Sequence, residues 1–101
     1  MINFEKYLTN IEYPIKKTSW DIAGTIKGKN GFYKFDTRPL KNNTKAGSFK
    51  TKADKIVYDV NDRYVIIDVE ELHEYLKNNS KKIVALEDLI NNFSWNIEIV
   101  K

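Results

Sequence analysis

At 101 residues, with 42% hydrophobic and 13% aromatic content, the chain has material for one buried core and none for a second domain. Charged residues make up 31% and the formal net charge is +3, too mild by itself to mark a nucleic-acid binder. Cysteine is absent, which excludes disulfides and thiolate zinc sites, and no apolar run is long enough to span a bilayer; the expectation is a cytoplasmic chain with no membrane contact.

The charge is unevenly spread. Between Arg38 and Ala53 lie five cations (Arg38, Lys41, Lys45, Lys50 and Lys52) and no acid, whereas Asp59 to Tyr75 holds six acids against Arg63 alone. The pattern predicts a polarised protein with a basic edge and an acidic one.

The opening "NFEKYLTNIEYP" places Phe4, Tyr7, Leu8 and Ile11 at helical spacing up to Pro14, which predicts a short helix. In "SWDIAGTIKG", Trp20, Ile22 and Ile26 fall on one face and Asp21 and Thr25 on the other, as in a half-buried strand, with Gly24 marking a bulge or a close approach. Asn30-Gly31 then suits a tight hairpin turn, and "FYKFDT" is the returning strand. The tract 38–53 reads as a basic loop within the domain, of a length that implies a function or disorder. "KIVYDV" and "RYVIID" flank Asn61-Asp62 as a second hairpin. Asp68, three residues before Glu71, is placed to cap a helix through "VEELHEYLKNN" that buries Val69, Leu72, Tyr75 and Leu76. A short helical segment around Leu86, Leu89, Ile90 and Phe93 and a strand with Trp95, Ile97 and Ile99 alternating close the chain. The expected architecture is α+β: a single compact domain of about five mostly antiparallel strands packed with two or three helices.

Several chemistries are disfavoured. His73 is the lone histidine and falls off the apolar stripe of its helix, which reads as a solvated residue, so a histidine-rich metal site is impossible. No serine sits in a nucleophile-elbow context, and the glycines at 24, 28, 31 and 47 do not make a phosphate loop of the Walker type. The carboxylates are more informative. A hairpin folding "WDIAG" onto "FYKFDT" brings Asp21 and Asp36 to one end of the sheet, with Arg38 two residues on and on the same face as Asp36. Two such acids can share magnesium, and the added cation suits phosphodiester cleavage. The plainer reading is that Asp36 opens the turn "DTRP" and Arg38 neutralises it.

The order "WDIAGTIKGKNGFYKFDTRP" resembles the second and third strands of restriction-endonuclease-like, or PD-(D/E)XK, nucleases. "TKADKIVYDVNDRYVIIDVEELHEYL" is similar to the strand–strand–helix that follows the centre in small phage and mobile-element members, so the resemblance spans about residues 3 to 78. It implies catalytic roles for Asp21, Asp36 and Arg38, with Asp21 and Asp36 as metal ligands for Mg and an acid on the first helix, Glu5 or Glu12, recruited in some branches. Arg38 stands where the family has lysine, and guanidinium can stabilise phosphorane charge but does not carry protons as lysine does. A register of Lys34-Phe35-Asp36 leaves no centre at all.

Two functions follow as expectations. One is a magnesium-dependent nuclease, or its catalytically degenerate descendant, that grips DNA or RNA through Arg38, Lys41, Lys45, Lys50 and Lys52. The other is a small phage or mobile-element inhibitor or adaptor that binds a protein partner through surplus aromatics. A strand over Trp95 to Val100, exposed at an edge, would also pair with a second copy in a homodimer.

Overall fold

A computed structural model describes residues 3–16, 20–39, 45–47, 51–60, 62–79, 83–93 and 95–101. The β-branched and aromatic runs become strands: β1 (Leu8–Glu12), β2 (Ile22–Ile26), β3 (Tyr33–Pro39), β4 (Lys45–Gly47), β5 (Lys55–Asp59), β6 (Arg63–Asp68), β7 (Ile83–Ala85) and β8 (Asn96–Val100). Six of them form one curled, mixed sheet in the order β1-β2-β3-β5-β6-β8, and β4 pairs with β7 separately. Two helices, α1 (Val69–Asn78) and α2 (Leu86–Asn92), complete the single α+β domain. Strands outnumber the expected five, and every pairing except β3 with β5 is antiparallel.

Strict alternation along the central strands divides the core in two. Ile56 and Tyr58 of β5 and Val65 and Ile67 of β6 lie on one face of the sheet, termed the outer face, and pack with Val69, Leu72, Leu76 and Phe93. Val57, Tyr64 and Ile66 face the other way and close with Ile22, Ile26 and Phe35 around Phe4. The Phe4 ring lies edge-on to Phe35 at 5.3 Å and to Tyr64 at 5.4 Å, so it fills the middle of this second cluster.

The first segment departs from the expected helix. Asn3–Tyr7 is a 3-10 turn, and the chain then enters β1, where Leu8 pairs with Ile26. A short apolar run satisfies either periodicity, and the free edge of β2 decides in favour of the strand. β1 carries an irregularity between Thr9 and Glu12, where Asn10 takes φ 55, a conformation Asn tolerates better than most residues. Gly24 is the close approach that the sequence suggests: a Cβ there would meet Thr9 O at 2.9 Å.

The first hairpin is also wider than a two-residue Asn30-Gly31 turn. Its register (Ile22 with Phe35, Gly24 with Tyr33) centres the reversal earlier, and Lys29 N donates to Ile26 O at 2.9 Å with Gly28 at φ 82. Gly28 therefore supplies the positive φ at the third turn position, while Gly31, at φ 101, redirects the chain into β3. The second hairpin is tight as expected, with Val60 N donating to Arg63 O at 3.0 Å, although Asn61 lies outside the described residues.

The tract 38–53 is not simply a loop. Arg38 and Pro39 finish β3, Lys45–Gly47 forms β4, and the whole segment is the crossover between parallel neighbours β3 and β5. Parallel strands require a connection of roughly a dozen residues or more, so its length has a topological cause. Lys41 and Lys50 lie outside the described residues. At the far end β8 is an edge strand, with Val100 exposed. Among the described residues no helix is long and apolar enough to cross a membrane.

Candidate nucleic-acid interface

The pairing of Ile22 with Phe35 sets Asp21 beside Asp36 along the backbone, as the sequence suggests. Their carboxylates are drawn to different partners. Asp21 Oδ2 accepts from Thr37 N at 2.8 Å and from Thr37 Oγ1 at 2.9 Å, continuing the β2–β3 ladder with a side-chain oxygen where β2 has not yet begun. Asp36 is buried on the outer face of β3, and its Oδ2 accepts from Arg38 Nη2 at 2.9 Å. Among the described residues no group of three or more His, Cys, Asp or Glu is placed to hold a metal ion. A guanidinium against one acid and two Thr37 donors on the other make a donor set that does not fit a shared magnesium ion. Tyr58, across from Arg38 in the β3–β5 register, is buried beside this pair, and its hydroxyl has no hydrogen-bond partner among the described residues. Burial pushes that hydroxyl well above the usual phenol range, with Arg38 lowering it and Asp36 raising it by smaller amounts.

Lys34 shares the outer face of β3 with Asp36 and Arg38, and there the strand borders a groove of about 660 Å³. The β1–β2 connection forms one wall with Tyr13, Pro14, Ile15 and Lys16, while Trp20, Ala23, Phe32, Lys34 and Lys52 line the rest. Tyr13 is 54% exposed and Phe32 46%, and Ile15 is fully open to solvent. The Tyr13 hydroxyl donates to a Glu5 carboxylate oxygen, which fixes the ring and raises its pKa through that bond first and burial second. Lys34 Nζ stands 5.6 Å from the Trp20 ring centroid. Glu12 is the one acid among the lining residues against Lys16, Lys34 and Lys52. Of the cations expected to contact phosphate, Lys52 lines the groove, and Arg38, its side chain 44% exposed, lies four residues along β3 from Lys34, about 13 Å at strand rise. Lys45 is on β4, away from this strand in sequence and in sheet.

A second constellation has no counterpart in the sequence reading. Lys55, only 6% exposed, opens β5 opposite Asp68 and places its ammonium 2.6 Å from Asp68 Oδ1. The same ammonium stands 3.8 Å from the Trp95 ring centroid and 4.6 Å from that of Tyr33. Asp68 Oδ2 meanwhile accepts from Glu71 N at 3.0 Å as the expected N-cap of α1. The Glu71 carboxylate accepts from Trp95 N at 3.4 Å. The clue was a lysine at an inward position of an otherwise apolar strand, directly across from the capping acid. His73, expected to be solvated, is half-buried on α1.

Comparison with protein-family models, curated proteins and solved structures gives no match to this chain, so the likeness to restriction-endonuclease-like proteins stays a resemblance of short motifs.

Proposed function

We propose that this chain binds nucleic acid through the outer face of β3 and the groove beside it, and that it does so without cleaving. The observation that carries this reading is the convergence of Lys16, Lys34 and Lys52 on one groove, with Arg38 farther along the same strand face. Clustered cations on one face attract phosphates and release their condensed counterions, a stronger indicator than a net charge of +3. Asp21 and Asp36 serve structure in this reading, one completing a ladder and the other paired with Arg38.

A charge-matched pair of variants tests the site. Lys16→Ala/Lys34→Ala should weaken binding to a fluorescein-labelled oligonucleotide at least tenfold. Lys27→Ala/Lys29→Ala, in the β2–β3 turn and lining a different cleft, should change it less than threefold. Equal losses in the two would show that only overall charge matters and would remove the groove from the account.

A further inference from the structure

The groove exposes aromatic surface where lysine alone would suffice for phosphate contact. Tyr13 and Phe32 are each about half exposed, and both line the same concavity as Trp20. Two of the rings have a partner that orients them. Tyr13 is tethered through its hydroxyl to Glu5, and Trp20 is covered by the Lys34 ammonium. Phe32 follows Gly31, whose φ of 101 sets the direction in which the chain enters β3. That positive φ is strained for any residue with a Cβ, so this entry favours glycine.

We propose that the groove takes single-stranded nucleic acid, with bases stacked on Tyr13, Trp20 and Phe32 and phosphates on Lys16, Lys34 and Lys52. This rests on the nucleic-acid reading above and narrows it to the strand state and the binding mode. A duplex keeps its base faces inside the helix, so rings lining a concave groove gain nothing from it. An unpaired strand offers one π-face and one anion per nucleotide, matching a groove in which rings and ammonium groups are interleaved. The volume of about 660 Å³ lies within the roughly 300–1,000 Å³ of sites that enclose small-molecule-sized groups, room for a base with its sugar and phosphate. Lys34 Nζ stands 5.6 Å from the Trp20 centroid, so a base stacked on that ring would exchange this cation–π contact for stacking, with the Lys34 ammonium pairing to its phosphate.

Fluorescence anisotropy with labelled oligo-dT, the same length of oligo-U and a matched DNA duplex tests this, at low and physiological salt. The expected result is tighter binding of both single strands than of the duplex. Phe32→Ala should weaken single-strand binding roughly tenfold, with duplex binding changed less than threefold. Phe32→Tyr, which keeps a stacking face, should restore wild-type affinity, and an unchanged thermal midpoint in both variants separates this from misfolding. Trp20 fluorescence should change on titration with oligo-dT in a Trp95→Phe background, where it is the remaining tryptophan. Duplex bound as tightly as single strand, or Phe32→Ala without effect while Lys16→Ala/Lys34→Ala abolishes binding, overturns the stacking proposal and leaves nucleic-acid binding standing. Binding of poly-glutamate but of no nucleic acid overturns both and makes the groove a site for acidic peptides.

Discussion

Replacing Asp68 removes two interactions at once, because its two carboxylate oxygens do different work. Oδ2 caps α1 through Glu71 N, a contact worth about 1 kcal/mol at such a position. Oδ1 meets the Lys55 ammonium, whose side chain is 8% exposed while that of Asp68 is 22% exposed. Removing one partner of a buried ion pair costs about 3–5 kcal/mol, since the other charge is left in a poor solvent. The faces of Trp95 and Tyr33, worth up to about 2 kcal/mol together with a desolvated cation, keep the loss near the lower end. Asp68→Ala should therefore lower stability by about 4 kcal/mol, a large share of the roughly 5–15 kcal/mol of an ordinary domain. Asp68→Asn keeps an N-cap acceptor and loses the charge, so it should cost about 2–3 kcal/mol. Urea denaturation of both variants, repeated in a Lys55→Met background, measures the coupling directly. A loss of about 1 kcal/mol for Asp68→Ala, additive with Lys55→Met, would show that Asp68 is a cap and nothing more.

Tyr58→Phe should raise stability by about 1 kcal/mol, because it removes a buried hydroxyl without a partner. Since burial holds the folded-state pKa of Tyr58 above its unfolded value of about 10, the stability this residue contributes is complete below pH 10 and is lost as pH rises beyond it. Alkaline denaturation of Tyr58→Phe should accordingly be shallower than wild type, and an identical profile would contradict the buried phenol. Gly24→Ala should cost about 1–3 kcal/mol by forcing β1 away from β2, and a thermal midpoint within a degree of wild type would show that the edge strand adapts. Asp21→Ala leaves the Thr37 N–H without its acceptor and should cost about 1–2 kcal/mol by chemical denaturation. Magnesium should not shift the melting temperature of the wild-type protein; a clear upward shift that Asp21→Asn abolishes would restore the metal-centre reading.

The features that local chemistry determines were legible in the sequence. β-branched and aromatic runs around Asn61-Asp62 located β5 and β6, alternation of Trp95, Ile97 and Ile99 located β8, the Asp68 cap fixed the start of α1, and the Leu86–Phe93 spacing located α2. What depended on distant partners was not. Leu8 to Glu12 became a strand because β2 had an edge to cover, and the parallel pairing of β3 with β5 converted a supposed functional loop into a topological crossover. The groove escaped notice for the same reason. Tyr13 and Lys16, Trp20, Phe32 and Lys34, and Lys52 come from three separate stretches that converge when β2 and β3 pair and the crossover returns. Charge counting found Arg38 and Lys52 but favoured a contiguous run, whereas the folded surface assembles its cations from across the sequence. Asp21 and Asp36 were correctly placed as neighbours, but proximity of backbones does not determine where carboxylates point.

The salt dependence of binding tests the central claim most directly. If Lys16, Lys34 and Lys52 each neutralise a phosphate, a plot of log Kobs against log salt for single-stranded oligo-dT should fall with a slope of about −2, and Lys34→Ala should reduce its magnitude by about 0.7. A slope near zero, or one that Lys34→Ala leaves unchanged, would contradict phosphate recognition by this groove.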